Sequence, residues 1–290
     1  MVDTPSTKIL DHIVHLTPPG SVQETSDQFR KLGFNVIPGG THTDGLTANA
    51  LVILADGVYL ELISFTHPAS YYPPGSSERV KRDTHSWASK SPGWIDFAFL
   101  GNGSLTPPRI SDIINERARK DGSGAVYALE VVAGRERPDG RVLKWVISAP
   151  KEDVRGTLPF FCGDVTPRDW RVPSDPPSNV EHPSTTQGIS HVRILTGSDD
   201  LATVSRQLTS VIGNPPASST ETEITWHLDT PQTGNGGPRL ILSLPRDVAE
   251  TDFIREGGVG VFEVAFRVQD KKKEGTTQTP YGKVVWVSDP

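Results

Sequence analysis

Four stretches of this sequence open in the same way, and that repetition limits the fold more than any other feature. They are Leu10–Thr17, Trp94–Gly101, Ile189–Thr196 and Val261–Val268, each rich in β-branched, aromatic or aliphatic residues and each ending in turn-forming sequence. Three of them precede a helical pattern. Ser21–Leu32 carries Val22, Phe29 and Leu32 before Gly33, and Ser104–Lys120 carries Ile110, Ile113, Ile114 and Arg117 before Gly122. Ser198–Ile212 carries Leu201, Val204, Leu208 and Val211 before Gly213. Ser198-Asp199-Asp200 supplies N-cap side chains for this helix. The fourth stretch is followed by no evident helix.

Further strands are predicted after each helix. In the first unit they are Phe34–Pro38, Ala48–Leu54 and Val58–Phe65, with Asp56-Gly57 as a tight turn. In the second they are Val126–Ala133, Arg141–Ser148 and Leu158–Cys162, with Arg137-Pro138-Asp139-Gly140 as a turn. In the third they are Glu221–Leu228 and Arg239–Leu244, joined by the Gly-rich Thr233–Gly237. The pattern is an α+β fold of repeated βαβββ units. One unit cannot close a sheet, whereas two can pair edge strands and curl into a half-barrel around a cavity. Residues 8–165 are read as one pair with the active-site cavity, 166–186 as a Pro/Ser-rich linker, and 187–290 as a second, degenerate pair. The long irregular Thr66–Pro92 reads as a functional lid.

Composition excludes several classes of partner. With 29 Lys and Arg against 35 Asp and Glu, a net charge of −6 argues against nucleic acid. The tight basic run Lys271-Lys272-Lys273 lies between Asp270 and Glu274 and reads as a solvated loop. Cys162 is the single cysteine, so no intrachain disulfide forms. The start, MVDTPSTKIL, lacks a basic region followed by an apolar run, so no signal peptide is read. No stretch approaches the roughly 18 apolar residues of a membrane helix. A cytoplasmic location and a small-molecule partner are the resulting expectations.

His12 and Glu61 are the residues most suggestive of chemistry. Glu61 sits mid-strand in Val58-Tyr59-Leu60-Glu61-Leu62-Ile63, where a carboxylate without a partner is costly to bury. His12 is read on one strand face with Leu10, Val14 and Leu16. If both enter one cavity, imidazole and carboxylate suit Zn, Fe(II), Mn, Co or Ni. A hydrogen-bonded core histidine and a salt-bridged carboxylate are the plainer alternative.

Leu10-Asp11-His12-Ile13-Val14 resembles the opening strand of the vicinal-oxygen-chelate superfamily, which includes glyoxalase I, extradiol dioxygenases and antibiotic-resistance binding proteins. Gly39-Gly40-Thr41-His42, Thr47-Ala48-Asn49-Ala50-Leu51 and Tyr59-Leu60-Glu61-Leu62-Ile63 resemble, more narrowly, the glyoxalase-like domain family. The likeness covers about residues 8–65, with Leu158-Pro159-Phe160-Phe161 similar to a second block and His182-Pro183 to a third. Beyond about residue 186 it is architectural. The resemblance implies metal ligands on the first and last strands of paired units, hence His12 and Glu61. Asp96 stands in the register of His12 in the second unit, while Cys162 is a poor counterpart of Glu61. Asp96, His182 and His42 are the candidates to complete the set. Asn49, Trp87 and His42 are expected to bind substrate, and Glu61 to shuttle a proton.

The implied function is a divalent-metal-dependent lyase, isomerase or hydrolase. It would act on a small oxygen-rich metabolite by stabilising an enolate or oxyanion. The alternative is a metal-free binding protein of the resistance type. Ring-cleaving dioxygenation needs two histidines and a carboxylate, and only His12 is well placed. In the second half, His191, Arg193, Glu263 and Arg267 read as a structural ion-pair network, and a homodimer through that half is a further expectation.

Overall fold

The computed structural model describes residues 4–137, 139–232 and 237–288. The leader reading at residues 1–3 and the turn positions at Pro138 and 233–236 lie outside the described residues. In every unit the first strand runs parallel to the last, and this rule builds both sheets. The first unit is β1 (Leu10–Thr17), α1 (Val22–Lys31), β2 (Ile37–Thr41), β3 (Thr47–Ile53) and β4 (Tyr59–Phe65), with β1 parallel to β4. A loop holding α2 (Ser77–Asp83) leads to the second unit. Its elements are β5 (Gly93–Leu100), α3 (Ile110–Asp121), β6 (Val131–Glu136), β7 (Val142–Ser148) and β8 (Phe160–Asp164). Antiparallel pairing of β1 with β5 joins the units into an eight-stranded mixed sheet, ordered β2-β3-β4-β1-β5-β8-β7-β6. The two ends of this sheet approach each other. His42 and Arg135 form a bridge, and the Thr43 N–H donates to the Gly134 carbonyl at 3.2 Å. The sheet is thereby a nearly closed half-barrel.

After α4 (Arg168–Arg171) come β9 (Thr186–Leu195), α5 (Ser198–Ile212), β10 (Ser218–Ser219), β11 (Glu223–His227) and β12 (Arg239–Ser243). Then follow α6 (Val248–Gly257), β13 (Gly260–Val268), β14 (Gly275–Thr279) and β15 (Gly282–Ser288). They form a seven-stranded sheet, ordered β10-β11-β12-β9-β13-β15-β14. No helix among the described residues is long and apolar enough to cross a membrane.

Several elements differ from the sequence reading. The strand expected at Val126–Ala133 begins later, at Val131, and runs through Arg135. The N-cap of α5 is Gly197, with no side-chain cap from Ser198. Helix α6 has no apolar stripe in the sequence. It is started by Asp247, whose carboxylate accepts the Glu250 N–H at 2.9 Å. It delivers Glu250 to Arg193 through two charge-assisted bonds of 2.5 and 2.8 Å. The expected ion-pair network is therefore two clusters, because Glu263 pairs instead with His191 at 3.0 Å and Lys283 at 2.6 Å. Segment 166–186 is no free linker: Arg168 and Arg171 reach from it to the buried Asp11. A buried carboxylate needs a countercharge, and its partners lie far along the chain.

The main apolar core fills the space between helices and both sheets, with Phe29, Phe34, Phe97, Phe99, Trp226 and Phe266 fully buried. Two titratable groups are buried where the sheets meet. His15 donates from Nε2 to the Tyr281 carbonyl at 3.1 Å, and burial lowers its pKa from 6.5 to about 4. Asp56 accepts the N–H groups of Val58 and Ile189, each at 3.0 Å, and burial raises its pKa from 3.8 to about 6. The contribution of Asp56 is therefore whole below pH 3.8 and is lost as pH rises through about 6. That of His15 is whole above pH 6.5 and is lost as pH falls through about 4. A tenfold change in proton affinity is worth about 1.4 kcal/mol, so each contribution is about 3 kcal/mol, with opposite dependence on pH. Between pH 6.5 and 4 the two offset each other. As pH falls over that interval, urea unfolding of Asp56→Asn is expected to show about 3 kcal/mol more loss than wild type. Parallel curves for the two proteins would contradict it.

Candidate functional site

Curling of the first sheet leaves a cavity of about 430 Å³, within the range that takes small organic ligands. Its chemistry starts at β1. Pairing of β1 with β5 slips in register between Leu10 and His12, which breaks the strict alternation of side chains. Leu10 consequently packs with Ile13 in the main core, while Val14 and Leu16 line the other cluster, so the single face read from the sequence is split. The same slip lets the neighbouring Asp11 and His12 meet, with Asp11 Oδ2 at 2.7 Å from His12 Nδ1.

Asp11 is fully buried. Arg168 Nη1 donates to it at 2.5 Å and Arg171 Nη1 at 3.1 Å. Burial works against its charge, but the guanidinium groups of Arg171 and Arg168 and the bond from His12 outweigh it. Its carboxyl is held well below the usual carboxylate range. An ionised carboxylate only accepts hydrogen bonds, so His12 donates from Nδ1, and in the tautomer that this selects Nε2 is the bare nitrogen. Tyr59 stacks on the ring with centroids 4.6 Å apart, and Phe160 meets it edge-on at 5.2 Å.

Glu61, on β4, presents Oε2 to His12 Nε2 at 3.9 Å and Oε1 to His42 Nε2 at 3.6 Å. Asn49 Nδ2 donates to Oε1 at 2.6 Å, and Asn49 Oδ1 accepts the Gly40 N–H at 3.1 Å. A Cβ on Gly39 would stand 2.0 Å from that same Oδ1, which explains why a glycine occupies this strand. His42 Nδ1 lies 2.7 Å from Thr47 Oγ1, and burial lowers the pKa of His42, favouring the neutral ring.

Five residues expected from the sequence thus line one cavity: His12, His42, Asn49, Glu61 and Trp87. Asp96 and His182 do not join them as donors. Asp96 Oδ2 accepts from Arg155 at 2.6 and 3.0 Å and from Trp87 Nε1 at 3.0 Å, while Oδ1 accepts the Phe97 N–H. It anchors Trp87, from the loop between the two units. His182 accepts the Asn35 N–H on Nδ1 at 3.0 Å and donates from Nε2 to the Ile53 carbonyl at 2.9 Å, so both nitrogens pin backbone. Cys162 lines the cavity, but burial pushes its thiol pKa up, away from the thiolate that binds metal.

Among the lining residues that the sequence reading does not assign to the site are Tyr59, His85, Arg135 and Arg171. Arg135 falls beyond the expected end of its strand, and Arg171 falls in the expected linker. The spacing of Arg168 and Arg171, three residues apart on one helical turn, is the available signal for the second.

A divalent metal is the cofactor this fold family implies. Catalytic sites with an open position take three protein ligands. Here the bare Nε2 of His12 and the Glu61 carboxylate face one another, but Asp96 is fully engaged. His42 faces the opposite Glu61 oxygen, already held by Asn49. Among the described residues no group of three His, Cys, Asp or Glu is arranged to hold a metal. The residues present therefore do not form a complete metal site by themselves.

Comparison with known proteins places this geometry in a family. No curated protein matches the chain. A crystal structure of a hypothetical protein from Staphylococcus aureus superposes with a TM-score of 0.65 at 10% identity, covering 96% of this chain and 98% of that one. A mutant 4-hydroxymandelate synthase from Streptomyces coelicolor has a TM-score of 0.49 at 14% identity, covering 92% and 72%. A xylose isomerase-like TIM barrel/4-hydroxyphenylpyruvate dioxygenase fusion protein has a TM-score of 0.47 at 13% identity, covering 92% and 37%. The family model of the glyoxalase-like domain matches residues 10–212. With most of its length under that match, the chain belongs to the glyoxalase-like domain family.

Proposed function

We propose that this protein is an enzyme that moves a proton on a small oxygen-bearing organic molecule, with His12 as the general base. The observation that carries the reading is the Asp11–His12 pair, whose bare Nε2 opens onto the cavity opposite Glu61. In the proposed step Nε2 takes a proton from a carbon next to a carbonyl, the C–H electron pair forms a carbon–carbon double bond, the carbonyl π pair moves onto the oxygen, and an enolate forms. Asp11 holds the ring in orientation and stabilises the imidazolium that results. Glu61 faces that imidazolium at 3.9 Å, placed to relay the proton onward. Trp87, Trp145 and Phe160 keep water from the reacting carbon. Isomerase and lyase chemistry both pass through such a step.

The test is exchange of carbon-bound protons in heavy water, followed by NMR across a panel of hydroxy and keto acids, esters and aldehydes. Catalysed loss of one alpha proton supports the reading. Binding without exchange in every case would leave a metal-free binding protein of the same fold. A divalent metal completed by substrate oxygens is the second reading, favoured by the 3.9 Å separation of His12 Nε2 and Glu61 Oε2. Metal content of the purified protein beside His12→Ala separates it: stoichiometric metal lost in the variant would replace the metal-free step.

A further inference from the structure

We infer that the ligand of this cavity is a carboxylate with an aromatic or branched-alkyl body, and that Arg135 receives the carboxylate. The inference rests on the cavity being the functional site. Arg135 is 5% exposed, and its buried Nη1 has no hydrogen-bond partner. Among the described residues, three of the four other deeply buried arginines have carboxylate partners. Arg155 has Asp96, Arg171 has Asp11 and Asp164, and Arg193 has Glu250. The fourth, Arg82, also has a buried Nε without a hydrogen-bond partner, but it lies 3.3 Å over the centroid of the Phe65 ring and does not line the cavity. Arg135 alone among these five lies against the cavity with a donor unused.

A buried guanidinium N–H without an acceptor is costly, and an acceptor brought by a ligand in the cavity would complete it. Glu61, the carboxylate in the same cavity, already has Asn49 on one oxygen and His12 opposite the other. The planar guanidinium suits a carboxylate. Leu51, Val132, Trp145, Ile147 and Phe160 offer the rest of the ligand an apolar wall. Gly40 is part of the design, since a Cβ there would lie 3.1 Å from Arg135 Nη1.

The first experiment needs no ligand. Arg135→Met is expected to raise Tm by about 2–4 °C, because it removes a buried donor that has no acceptor and keeps much of the volume. A fall in Tm would give Arg135 a structural role and overturn the inference. The second experiment follows quenching of tryptophan fluorescence by benzoate, phenylacetate and isovalerate against their amides, with inorganic phosphate alongside. At least one acid is expected to bind about tenfold or more tighter than its amide. The ratio should fall to about one in Arg135→Met and persist in part in Arg135→Lys. Equal binding of acids and amides, no acid-dependent quench, or preference for phosphate overturns the carboxylate. His12→Gln should keep the acid preference, so failure of the base chemistry and failure of carboxylate recognition register separately.

Discussion

Alanine in place of Asp11 is expected to lower the unfolding free energy by about 3–5 kcal/mol. Asp11 is fully buried and accepts from His12, Arg168 and Arg171. Its removal leaves Arg171, itself buried, with only Asp164 and the Tyr59 hydroxyl as side-chain partners. Truncating one member of a buried ionic cluster costs more than the cluster's net worth, because the remaining charge stays desolvated. The effect should extend beyond the strand, since α4 and the segment after it are held to the first sheet through this carboxylate. Urea unfolding followed by circular dichroism checks the magnitude. A loss below about 1 kcal/mol would mean that Arg168 and Arg171 find solvent or other acceptors without Asp11.

Glutamine at position 12 is expected to reduce turnover of any substrate found by the exchange assay by about 100-fold to 10,000-fold, the usual range for a lost general base. The side chain fills much of the same space but carries no basic nitrogen. Substrate binding should change little, because the proposed anchor is Arg135 on a different strand. A reduction in kcat with KM near wild type is therefore the expected signature. Full activity in His12→Gln would move the base elsewhere in the cavity, to Glu61 or His42.

The repeated opening strands make the fold legible. Parallel pairing of first and last strands follows once two βαβββ units share a sheet, and the hydrophobic periods of α1, α3 and α5 match the helices that form. His12, His42, Asn49, Glu61 and Trp87 are also legible, because the short motifs that carry the first four sit on neighbouring strands. What stays hidden depends on distance along the chain or on irregular backbone. Asp11 reads as an unremarkable strand residue until a register slip turns it toward His12, and its arginine partners lie about 160 positions away. Asp96 holds the place of His12 in the repeated strand sequence, yet Arg155, from a loop, takes its charge. Helix α6 is invisible because its stability comes from an N-cap and an ion pair rather than from an apolar stripe.

The proposed base chemistry turns on one atom, the bare Nε2 of His12. Nitrogen NMR of protein labelled in its histidine rings reads that atom without any substrate. The signals to follow are those that disappear in His12→Gln, at a pH where the ring is neutral. A protonated Nδ1 and an unprotonated Nε2 are expected, with the Nδ1 proton shifted by its bond to Asp11. The opposite tautomer, with the proton on Nε2 and a bare Nδ1, would contradict the assignment of His12 as the base.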